Sequence, residues 1–179
     1  TAVQRFYSIE IGKAKESNLD RIFGSALSLH MIVALVTCIL MEMFAVFFLH
    51  KLNIPAERIL AAKAVFQISI LSMLMNVIIV PYSALLRARE EFSQIAVAEV
   101  LQSAGRLVVV LILTHITYDH LIALGCLKLL VTVLYCAAII LLARRYQECK
   151  GRICWDKAII KDISKFISML LVTVLASLF

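Results

Sequence analysis

Residues 97–113 read VAEVLQSAGRLVVVLIL, from Val97 to Leu113, and their reading decides the fold. The stretch is apolar enough for hydrocarbon, yet it carries Glu99 and Arg106. A charged side chain at the centre of a bilayer costs roughly 2.5–3.5 kcal/mol on insertion scales, so such residues face protein or water rather than lipid. Glu99, Gln102, Ser103 and Arg106 stand at i, i+3, i+4 and i+7, a spacing that stacks them on one face of a helix. Val97, Val100, Leu101, Leu107, Val108 and Leu111 make up the opposite face. The segment reads as a membrane-spanning helix with a lipid side and a protein or water side.

The rest of the chain agrees. It has 179 residues, of which 63% are hydrophobic and 17% charged, and its mean hydropathy is +0.97. Soluble domains are about 45–50% apolar and about 25% charged, so this is a membrane protein. A spanning helix needs about 20 apolar residues to cross about 30 Å of hydrocarbon. Four runs meet that length, at about 22–49, 60–86, 95–113 and 121–143, and a fifth begins near Phe166 and stops at Phe179. Each run is continuous, whereas strands of a membrane barrel would alternate in polarity over about ten residues. The expected architecture is therefore all-α, a polytopic membrane helix bundle. The chain starts at Thr1 and ends inside an apolar run, which points to an internal fragment of a longer protein. "TAVQRFYSIEIGKAKES" lacks the apolar core of a secretory signal.

Short connections predict antiparallel neighbours: "HKLNIPAERI", with Pro55 and Glu57 suited to a helix start, then the tight reversals "RAREEFSQ" and "THITYDH". Residues 1–21 form an interfacial segment with Phe6 and Ile9 opposing Lys13, Lys15 and Glu16. The loop 144–165 contains Gly151 and then "WDKAIIKDISKFI", whose Trp155, Ile159, Ile163 and Phe166 share a face and predict a second interfacial helix. Basic residues fix the orientation. Arg5, Lys13, Lys15 and Arg21, then Arg87 and Arg89, then the cluster from Arg144 to Lys165 lie on one side, against Lys51, Arg58 and Lys63 on the other. The positive-inside rule puts 1–21, 87–94 and 144–165 in the cytoplasm. It also accounts for the net charge of +6 without invoking nucleic acid.

Other spans carry polar groups too. Ser69, Ser72, Asn76 and Ser83 run along the second, where Pro81 breaks the hydrogen-bond ladder. Glu42 lies near the outer end of the first span and Lys128 about two turns inside the fourth. Two interpretations stand for these groups: packing contacts between helices, or the lining of a shared interior. Arg106, at mid-span beside Gly105, favours the lining, while Lys128 and Glu42 are near enough to the surface to snorkel. Cys38, Cys126 and Cys136 sit in apolar runs, and Cys149 and Cys154 lack metal-ligand spacing, so no metal or cofactor is expected. There is no phosphate loop, paired acid–base carboxylates or partnered nucleophile, which argues against an enzyme.

"QRFYSIEIGKAKESNLDRIF" (4–23), "LNIPAER" (52–58), "FQISILSMLMNVIIVPYSALLRAREEF" (66–92), "AVAEVLQSAGRLVVVLIL" (96–113) and "ARRYQECK" (143–150) resemble bacterial polysaccharide-export flippases. These are O-antigen-type members of the multidrug, oligosaccharidyl-lipid and polysaccharide exporter superfamily. The resemblance implies a two-lobed transporter of about twelve to fourteen helices, of which this chain would be the third through sixth and the start of the seventh. It implies a bacterial inner-membrane protein that flips an undecaprenyl-pyrophosphate-linked oligosaccharide by alternating access, with H+ or Na+ as coupling ion. Basic residues of a central cavity would then meet pyrophosphate and acidic ones carry a proton.

From position, Arg106 is the expected anion contact, with Glu99 holding it or exchanging a proton with it. Gln102, Asn76 and Lys128 are further cavity candidates, and Glu42 is a second coupling candidate. Membrane lipids are the other expected partner. A cation or multidrug antiporter of the same superfamily, in which Glu99 or Glu42 would matter most, is one alternative. A non-transporting helical scaffold is the other.

Overall fold

The computed structural model describes residues 2–12, 18–48, 55, 58–115, 119–150, 156, 159–161 and 165. Its helices are α1 (Ala2–Ile11), α2 (Leu19–Phe48), α3 (Ile59–Ile78), α4 (Val80–Ala88), α5 (Phe92–Leu113) and α6 (His120–Ala143), followed by a 3₁₀ turn at Gln147–Lys150. Four spans are long and apolar enough to cross a membrane: Leu19–Ala45, Ile59–Ala88, Phe92–Leu113 and His120–Ala143. The all-α, multi-pass bundle expected from the sequence is the fold. The fifth apolar run, and Glu57, Trp155, Ile163 and Phe166, lie outside the described residues.

Local chemistry sets the helix boundaries. Proline has no N–H, so the ladder that α3 starts is interrupted four residues before Pro81, at the Val77 carbonyl. The chain turns at Ile79, whose N–H reaches Met75 O at 3.1 Å, and α4 carries on in the same span. Beyond α4 the reversal is built on Glu90, which adopts a left-handed φ of 61°. Glu91 N donates to Leu86 O at 3.0 Å and Glu90 N to Arg87 O at 3.2 Å, closing the last carbonyls of α4 as a Schellman turn. Asp119 caps α6 by accepting from Leu121 N at 3.1 Å.

α6 lies between α3 and α5, α2 packs on the far side of α3, and α1 docks on α4 and α2. The tightly packed residues gather at the α4–α5 end. One cluster joins Val3, Tyr7, Leu19, Phe23 and Leu85, and another joins Ile79, Leu86, Ile95, Cys136 and Ile139. Away from that end Leu35, Phe47, Leu107, Leu111 and Leu134 are exposed, as side chains meant for hydrocarbon are. α1 differs from expectation. It buries Val3, Tyr7 and Glu10, at i, i+4 and i+7, and leaves Ile9 exposed. The reason is Glu10, whose Oε1 accepts from Asn18 N at 3.0 Å and so satisfies a donor at the start of α2.

Candidate functional site

Ser69, Ser72 and Asn76 fall on one face of α3. Each bonds its own helix one turn back: Ser69 Oγ to Val65 O at 2.8 Å, Ser72 Oγ to Ile68 O at 3.0 Å, and Asn76 Nδ2 to Ser72 O at 2.7 Å. Thr132 of α6 does the same, Oγ1 to Lys128 O at 3.0 Å. Such back-bonding lets a polar residue sit in an apolar helix, and it leaves the hydroxyl lone pairs, the Asn76 Oδ1 and one Asn76 N–H unused. These four residues line a cavity of about 370 Å³ between α3, α5 and α6, joined there by Arg106 and Lys128. Val65, Ile68, Leu121 and Leu124 are its apolar walls.

Arg106 and Lys128 reach the cavity from facing helices, and neither makes a side-chain hydrogen bond or ion pair among the described residues. No carboxylate lines it. The pocket is therefore cationic, with hydroxyl and amide groups beside the exposed Arg106 and Lys128, which stand about two turns in from the α5–α6 reversal. It can hold an anion, because a guanidinium offers paired N–H donors and an ammonium a mobile one.

Five of the residues singled out from sequence thus come together: the cavity candidates Arg106, Lys128 and Asn76, with Ser69 and Ser72 of the polar stripe. Glu99 does not join them. Its Oε1 accepts from Arg87 Nη2 at 3.0 Å, an ion pair tying α4 to α5. Seven residues of helix put Glu99 about 10 Å along the axis from Arg106, whereas the Arg87 side chain crosses directly from α4. Gln102 lines a separate groove of about 250 Å³ with Gly105, Val131 and Tyr135. Glu42 accepts from Gln67 Nε2 at 3.1 Å and links α2 to α3. Thr132 was missed in sequence, although it follows Lys128 by one turn and so had to share its face. A larger groove of about 530 Å³ between α2 and α3 is walled by Met31, Leu35, Leu74 and Ile78 and carries no charge.

A second polar cluster closes the α4–α5 end. The Tyr146 hydroxyl donates to Glu91 Oε1 at 2.7 Å, Gln94 Nε2 donates to Glu91 Oε2 at 2.7 Å, and the Arg89 guanidinium lies 5.0 Å from the Tyr146 ring centroid. The bond to Glu91, then burial, raises the Tyr146 pKa above its ordinary value. Burial likewise holds the Tyr7 phenol well above that value, and its hydroxyl has no hydrogen-bond partner among the described residues. Comparison of the chain with protein-family models, with curated proteins and with solved structures finds no match in any of the three.

Proposed function

We propose that this multi-pass chain is part of a membrane transporter that moves an anionic, lipid-linked oligosaccharide across the bacterial inner membrane by alternating access. The cavity between α3, α5 and α6 would meet the pyrophosphate of the carrier. One observation carries the proposal: Arg106 and Lys128 converge, without protein partners among the described residues, on a pocket lined by Ser72, Asn76 and Thr132. Two cations held at membrane depth cost several kcal/mol, and an anionic cargo offsets that cost. The resemblance to polysaccharide-export flippases supplies the cargo class. A cation antiporter is less well supported, because Glu99 is held by Arg87 and Glu42 by Gln67, and neither lines the cavity.

The test is surface polysaccharide in the source strain together with flipping of a pyrophosphate-linked oligosaccharide in proteoliposomes. Arg106→Ala and Lys128→Ala each lower both by about tenfold or more at normal protein level, the size expected from losing one charge-assisted contact to the cargo. Arg106→Lys keeps part of the activity. Unchanged flipping in both alanine variants removes the proposal.

A further inference from the structure

α5 and α6 enclose a groove of about 550 Å³ at the α4–α5 end. Val97, Leu101, Ala138 and Leu141 wall it, and Ser93, Gln94 and Arg145 stand at its mouth. The narrower groove along Gly105 and Val131 continues it, since Ala98, Leu101 and Ala138 line both. From Gln94 to Gly105 the combined channel spans about 16 Å of helix rise, which is half of the roughly 30 Å hydrocarbon core and hence one leaflet. Polarity is sorted along it. The inner part is mainly apolar, with Gln102 and Tyr135 as its polar members, and the charged mouth lies beside the last turn of α6.

We propose that this groove is a specific site for one anionic glycerophospholipid of the leaflet at the α4–α5 end, with an acyl chain along the channel and the phosphate on Arg145. The exposed Arg145 guanidinium has no side-chain hydrogen bond or ion pair among the described residues. Glu91 is held by other partners, one oxygen accepting from Tyr146 and the other from Gln94, and forms no ion pair with Arg145. Over 87–99 and 144–150 the basic residues Arg87, Arg89, Arg144, Arg145 and Lys150 outnumber the acids Glu90, Glu91, Glu99 and Glu148. Ser93 and the remaining Gln94 amide groups supply neutral contacts for headgroup oxygens. Charge complementarity and a channel one leaflet long select a phospholipid over another helix, which would need neither a cationic mouth nor a stop at mid-bilayer. The site lies outside the Arg106 cavity and does not depend on what that cavity carries.

The chain has one tryptophan, so Trp155→Phe with Leu101→Trp reports on the groove rim. The intact protein is placed in bilayers of phosphatidylcholine and brominated phosphatidylglycerol, and in the reverse pair. Quenching at Leu101→Trp should show phosphatidylglycerol preferred by about fivefold, the size of one arginine at an anionic surface. A control tryptophan at Leu107, exposed and outside both grooves, should show a ratio near one. Arg145→Gln removes the preference, and Ala138→Phe, which fills the channel and keeps the charge, removes it too. Native mass spectrometry should find retained phosphatidylglycerol on the wild type and loss of it in both variants. Equal quenching by the two lipids, a preference that survives either variant, or no quenching by either lipid overturns the proposal.

Discussion

Glu90 is a non-glycine residue held at a φ of 61° because the α4–α5 reversal needs a left-handed position. A side chain in that region costs about 1–2 kcal/mol, so Glu90→Gly should stabilise the protein by about 1 kcal/mol, read as a higher melting temperature in detergent. Close by, Tyr146 has to keep its proton to donate to Glu91. Its folded-state pKa is therefore raised, and its contribution is complete below the ordinary value of 10.0 and lost as pH rises through the folded pKa. The wild type should lose stability above pH 10.0 more steeply than Tyr146→Phe. The comparison isolates this group, since Tyr7 titrates in both. Residue-scale partners were the least legible part of the sequence. Helical spacing put Glu99 and Arg106 on one face, but a face does not name its neighbour, and Glu99 found Arg87 on the preceding helix. Glu10 gave no sign of burial, because spacing along α1 does not show that it accepts from the Asn18 N–H at the start of α2.

At the scale of elements the sequence was informative. Run lengths set the four spans, since hydrocarbon thickness leaves little choice of helix length. Pro81 announced the break between α3 and α4, because a missing N–H acts in any context. The meeting of Arg106 with Lys128 was also implicit. They stand at similar distances from the α5–α6 reversal, and antiparallel neighbours place such residues at one depth. The amphipathic face of α1 was not legible, because docking on α4 rather than hydropathy selects which side is buried. The break at Pro81 keeps the two halves of the span from acting as one rod. Pro81→Ala restores one backbone hydrogen bond, worth about 1 kcal/mol. It should raise thermal stability by that amount while slowing flipping severalfold in proteoliposomes, a combination that mere loss of packing does not give.

Over the whole molecule, packing is uneven. The α4–α5 end holds both buried clusters, the Arg87–Glu99 ion pair and the Tyr146–Glu91 contact, while the cationic cavity lies toward the α5–α6 reversal. The proposed alternating access would need one state with a closed end beside an open polar pocket. The central claim is that this interior is aqueous and attracts anions. The most direct measurement replaces the native cysteines, introduces Asn76→Cys, and compares labelling by an anionic sulfonate and a cationic trimethylammonium thiol reagent. Leu107→Cys serves as the lipid-facing reference. The account predicts that Asn76→Cys labels well above the reference, faster with the anionic reagent, and that Arg106→Gln with Lys128→Gln abolishes the difference. Labelling no faster than at Leu107→Cys, or faster with the cationic reagent, would contradict it.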